Sequence, residues 1–210
     1  MKSFWYYFLV TIFIPRRAFN RLLSEPAKVA KATKSILFIG ILYALTAAAL
    51  VFSGALLMVP AWLKLSSENY YFWEIFFVIP VFVLDWILAA GLVLWLSRGG
   101  KKKGSGTFED TLSILGFAMA IPLFIAWIPQ AAGAILLLLG MVQQEFVDLV
   151  SGPGFWQGAA LIYIIIVLLW LFILSSIAVS VSQILRWWKA ILVSFLTVAV
   201  FVFVLFIFIR

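Results

Sequence analysis

The chain contains no cysteine and no histidine. The first absence excludes disulfides, iron–sulfur clusters, thiolate zinc sites and thiol nucleophiles. The second removes the commonest metal ligand, the commonest general base and the usual switch near neutral pH. Charge is scarce as well. Only 11% of the 210 residues are Asp, Glu, Lys or Arg, and 66% are hydrophobic; soluble domains carry about 25% charged residues. Such a mixture cannot clothe a soluble domain, so lipid is the solvent for most of the chain. No Gly-rich phosphate loop, metal-ligand spacing or nucleophile beside a base occurs. No catalytic residue, metal or cofactor is therefore expected, and the protein is not expected to be an enzyme. The net charge is +7. Its basic residues border apolar segments, so the expected partners are anionic lipid headgroups and not nucleic acid.

What the sequence has in abundance is apolar length. Five segments, at about residues 35–59, 72–96, 111–141, 155–182 and 190–209, each reach the roughly 20 residues a spanning helix needs. In lipid every backbone polar group must be satisfied within its own segment, so all five are predicted to be helical. The expected fold is an all-α integral membrane protein. A five-helix transmembrane domain over 35–210 follows an interfacial, basic amphipathic segment over 1–34.

The charges set an orientation. Arg16, Arg17, Arg21, Lys28, Lys31 and Lys34 precede the first span. Arg98, Lys101, Lys102 and Lys103 lie between the second and third, and Arg186 and Lys189 between the fourth and fifth. The opposite side carries only Lys64 and Arg210. The positive-inside rule places the N-terminus in the cytoplasm and the C-terminus outside a cell membrane. Arg16, Arg17, Arg21, Lys28, Lys31, Lys34, Lys101, Lys102 and Lys103 are the expected anionic-lipid contacts.

Before the first span, an aromatic run from Phe4 to Ile14 is too short to cross a bilayer as a helix. Trp5, Tyr6 and Tyr7 suit the headgroup layer, so an interfacial helix is expected there. A secretory signal is not expected, because Pro15-Arg16-Arg17 follows the run where small residues should stand. Residues 16–34 then set Phe19, Leu22, Leu23, Val29 and Ala30 on one helical face and Arg17, Arg21, Lys28 and Lys31 opposite. Such a helix lies on a membrane surface; the alternative is a solvated charged face that only orients the chain. Pro26 divides the stretch into two short helices, the second starting near Ser24.

Within the spans three features stand out. Asp85 falls near the bilayer midplane with no cation to pair with, and is expected to carry a proton. Counting by depth puts Trp127 and Gln130 of the third span within its reach. Glu74, near the outer end of the second span, is expected to face water. Pro122 and Pro129 predict a kinked or broken third span, and Gly40, Ala44 and Ala48, with Gly154 and Gly158, predict close helix packing or dimerisation. Residues 148–154 read as an outer turn. Two functions remain open: a membrane-organising interaction protein, and a small transporter or channel using Asp85 in a polar cavity beside the kinked third span.

Two stretches carry a family likeness. One is Pro15-Arg16-Arg17-Ala18-Phe19 with Leu22-Leu23-Ser24-Glu25-Pro26. The other is Phe108-Glu109-Asp110-Thr111-Leu112 with Leu115-Gly116-Phe117 and Ile121-Pro122. With five spans, the chain resembles the Ypt-interacting-protein (YIP/YIPF) family. The interfacial N-terminal segments, the basic cytoplasmic face and the absence of catalytic groups point to a non-enzymatic protein that organises or shapes membranes, and the resemblance adds a trafficking-type role with a homo-oligomer or a membrane-protein partner. Eukaryotic members reside in Golgi and ER membranes and associate with Rab-type GTPases. This sequence lacks their long polar N-terminal region, and Phe117 stands where a tyrosine is common, which favours a bacterial or archaeal member.

Overall fold

The computed structural model describes residues 2–56, 65–98, 106–151 and 154–209. Among them are eight helices and no strand: α1 (Phe4–Phe13), α2 (Pro15–Leu23), α3 (Lys28–Phe52), α4 (Tyr70–Arg98), α5 (Phe108–Leu138), α6 (Gln143–Ser151), α7 (Phe155–Gln183) and α8 (Trp187–Phe208). α3, α4, α5, α7 and α8 are each long and apolar enough to cross a membrane. The ends of the bundle differ. Arg16, Arg17, Arg21, Lys28, Lys31, Lys34, Arg98, Arg186 and Lys189 gather where α3, α5 and α8 begin and where α4 and α7 end; this is the basic end.

α5 is the axis of the bundle. Every residue from Thr111 to Leu123 is buried, as expected of a helix apolar on all sides and enclosed by others. α3 and α7 flank it, α4 packs on α3 and α8, and α8 closes the ring against α7. Glycines permit the closest approaches. A Cβ on Gly116 would sit 2.8 Å from the Ala32 Cβ, and one on Gly40 would sit 3.0 Å from Ile79 Cγ1. The second pair of predicted packing glycines behaves otherwise, since a Cβ on Gly154 or Gly158 would meet nothing within 4 Å.

α5 also runs unbroken through Pro122 and Pro129. Proline removes a helical donor and leaves the carbonyl four residues earlier unpaired. For Pro129 that carbonyl belongs to Ile125, and the Tyr163 hydroxyl of α7 donates to it. The helix continues because its neighbour supplies the missing hydrogen bond.

The N-terminal segment is part of the bundle. Ser3 caps α1 by accepting from the Tyr6 N–H at 3.3 Å. Pro15, welcome at a first helical position, starts α2 directly after α1 ends. Tyr7, Phe8, Phe19 and Leu22 are buried in the main core. Phe4 meets Phe117, and Phe8 meets Phe38 and Phe124. Two expected boundaries change. The second amphipathic helix is not separate, because its residues form the first turns of α3, which begins at Lys28 and not at Ser35. Residues expected in an outer turn extend the short helix α6 as far as Ser151, with Phe146 seated against Gly133.

Candidate functional site

α4 carries two carboxylates on one face. Glu74 and Asp85 stand eleven positions apart, about three turns at 3.6 residues per turn. They are 1% and 0% exposed. Glu74 therefore does not face water; its turn of α4 is covered by the bundle. Its carboxylate lies within electrostatic range of Tyr43 and Tyr71. No oxygen of either carboxylate has a hydrogen-bond partner among the described residues. That is unusual, because buried polar groups are nearly always paired.

Trp127 and Gln130 are not the partners of Asp85. The indole N–H of Trp86 donates to the Leu112 carbonyl at 2.8 Å, which sets Asp85 at the depth of the first turns of α5. Trp127 lies roughly four turns farther along α5. Its indole donates instead to Thr46 Oγ1 at 2.8 Å, and Gln130 is half-buried. Counting by depth failed because it set the middles of α4 and α5 level with each other. The end of α4 overhangs the start of α5, leaving Trp95 72% exposed.

Two carboxylates at the basic end, Asp110 and Glu25, are used differently. Thr107 and Asp110 form a reciprocal capping box at the start of α5, and Asp110 also accepts from Lys28 Nζ at 2.5 Å. Glu25 accepts from the Lys31 ammonium at 2.7 Å, the Tyr7 hydroxyl at 2.8 Å and the Lys2 backbone N–H at 3.1 Å. Those bonds, the Lys31 contact foremost, draw its carboxyl down to about 2. Burial, followed by the bond to Glu25, pushes the Tyr7 hydroxyl up to about 12. Lys28 and Lys31 are thus engaged within the protein. Arg16, Arg17, Arg21 and Lys34 are exposed, although Arg21 also donates to the Tyr6 hydroxyl at 3.2 Å. Lys101, Lys102 and Lys103 lie outside the described residues.

Sequence reasoning overlooked Glu25, Tyr163 and two serines, Ser175 and Ser194. The serines are fully buried and their hydroxyls have no partner among the described residues. Only the eleven-residue repeat of acid on α4 could have pointed inward from sequence. Among the described residues no group of three or more Asp or Glu could hold a metal ion.

No curated protein matches the chain, and no solved structure does. The Yip1 domain family matches it over residues 9–209. That span takes in α2, all five long helices, Glu74 and Asp85, and half of α1. The chain is a multi-pass membrane protein of the Yip1 domain family.

Proposed function

We propose that the protein organises and shapes the bilayer by filling one leaflet more than the other, without catalysing a reaction. The Yip1 domain family is generally non-enzymatic. The observation that carries the reading is the one-sided placement of α1 and α2. Their inner face, Tyr7, Phe8, Phe19 and Leu22, is buried in the core. Their outer face offers Trp5, Leu9, Phe13 and Ile14 to lipid, and Arg16 and Arg17 are exposed beside it. Apolar surface set into one leaflet expands that leaflet and favours curvature. The basic end faces the cytoplasm of a prokaryotic cell membrane under the positive-inside rule. Anionic headgroups at Arg16, Arg17, Arg21 and Lys34 are its first partners, and a second copy or another membrane protein completes the assembly.

The test is reconstitution of the full chain into liposomes containing phosphatidylglycerol, with vesicle shape read by electron cryo-microscopy. Wild type is expected to give smaller or tubular vesicles, and a variant lacking residues 1–24 to give the shape of empty liposomes. A surface variant, Trp5→Ser with Phe13→Ser, leaves the buried face intact and is expected to lose part of the effect. Identical vesicles from all three would overturn the reading.

A further inference from the structure

The second feature of the molecule is independent of the N-terminal hairpin. In a packed helix a buried serine or threonine normally returns its hydroxyl to a carbonyl one turn back. Thr46, Ser113, Ser176 and Thr197 do so. Ser175 and Ser194, each 0% exposed, do not, and neither hydroxyl has a partner among the described residues. Ser97 is similarly unpaired, three turns beyond Asp85 on α4.

The fold brings these two serines to the depth of Asp85. The Tyr70 hydroxyl donates to the Phe208 carbonyl at 2.6 Å and sets the antiparallel register of α4 on α8. Fifteen residues onward from Tyr70 is Asp85, and fourteen residues back from Phe208 is Ser194. Ser194 belongs to the buried stripe of α8, with Ala190, Thr197 and Phe201. α7 reverses into α8 at Ile184, and the Phe172 and Phe195 rings meet at 6.4 Å. That contact levels Ser175 with Ser194 to within about one turn. A carboxylate and two hydroxyls, all buried and all without a partner among the described residues, therefore lie at one depth on three helices that pack in turn, α4 on α8 and α8 on α7.

Among the described residues no charged group facing this layer answers the carboxylate. On α3, Lys28 and Lys31 are paired to Asp110 and Glu25, Lys34 is exposed, and Tyr43 lies toward Glu74. On α5, Glu109 is exposed and Asp110 is paired. α7 offers only Tyr163, near its far end, bound to Ile125. α8 offers only Lys189, exposed and set over the Trp188 ring. On α4 itself the other ionisable side chains are Tyr70, Tyr71, Glu74 and Arg98, and Arg98 ends the helix. An isolated buried carboxylate is too costly for a fold to retain without a return. A structural aspartate spends its oxygens on neighbours, as Asp110 does.

We propose that Asp85, Ser175 and Ser194 form an intramembrane site for a small monovalent cation, a proton or a sodium ion, which neutralises the carboxylate and is exchangeable. The carboxylate supplies the charge, and the serine oxygens supply the remaining ligands or hydrogen bonds. Glu74, three turns along the same face, is the next acceptor toward the far end of the bundle.

The test uses the full chain in lipid nanodiscs. Infrared difference spectra follow the protonated-carboxyl C=O band as pH is raised in choline buffer, and separately as sodium replaces choline at fixed pH. The Asp85 band is assigned by its absence in Asp85→Asn. Loss of that band with alkali alone supports a proton site, and loss with sodium at fixed pH supports a sodium site. Ser194→Ala, which does not depend on the stability of the Asp85 variant, is expected to move the midpoint by on the order of tenfold in cation concentration. An Asp85 signal unchanged by both pH and sodium would overturn the proposal. So would a midpoint that Ser194→Ala and Ser175→Ala both leave in place.

Discussion

The hydroxyl of Tyr163 donates to the carbonyl of Ile125, the group that Pro129 leaves without its helical donor. One helix repairs the backbone of another at a depth where water is scarce. Tyr163→Phe is expected to destabilise the protein by about 1 kcal/mol, between the modest value of membrane hydrogen bonds and the cost of an orphaned carbonyl. Thermal unfolding in detergent measures it. Pairing Tyr163→Phe with Pro129→Ala should recover the loss, because the alanine restores the helical donor. A double variant no more stable than Tyr163→Phe alone would show that the bond does not serve the proline.

Glycine contacts predict a graded series. Gly116→Ala sets a methyl group 2.8 Å from the Ala32 Cβ, with Ala32 backbone atoms at 3.2 Å. Nothing flexible can yield there, so overpacking of about 1–3 kcal/mol is expected. Gly158→Ala meets open space, and is expected to be neutral or slightly stabilising, since alanine favours the helix by up to about 1 kcal/mol. Relative melting temperatures of the two variants decide the matter.

The attachment of α1 and α2 should depend on acid. Glu25 titrates near 4.5 when free and is drawn down to about 2 in the fold. Its contribution is complete above the free value and is lost as pH falls through the window between the two. Cleavage of the N-terminal segment by an acid-active protease is therefore expected to accelerate as pH falls from about 4.5 toward 2. Glu25→Gln should cleave at one rate across that range. A wild-type rate that is equally flat would remove the role assigned to Glu25.

Asp110 joins two functions at the start of α5, the capping box and the bond to Lys28. Asp110→Ala is expected to cost about 1–2 kcal/mol, mostly from the cap, because a partly exposed ion pair contributes little alone. The double variant with Lys28→Met should cost scarcely more than Asp110→Ala. A clearly additive loss would mean the lysine acts elsewhere.

The five long helices were legible because lipid leaves an apolar segment of that length little choice of structure. Their ends were less so. Lys28, Lys31 and Lys34 read as a surface helix, yet the first two find carboxylates and continue α3. Those carboxylates, Asp110 and Glu25, lie 82 and 6 residues away, and only the shorter separation is visible to a local reading. Asp85 was legible as a misfit in lipid; its surroundings were not. Depth counted along each span cannot reveal that α4 overhangs α5, and Trp127 was assigned to the wrong neighbour. Ser175 and Ser194 carry no signal at all, since serine is common in membrane helices and only folding shows which hydroxyl is left over.

The order in which the spans leave the ribosome gives the α8 seam a further consequence. α4 enters the membrane long before α8 exists, and α8 is one of the walls packed against α4. Until that final span is threaded and docked, the side of α4 that α8 covers is open to lipid or the insertion machinery. A nascent chain stalled before Trp187 thus lacks one wall of the bundle that buries the two carboxylates.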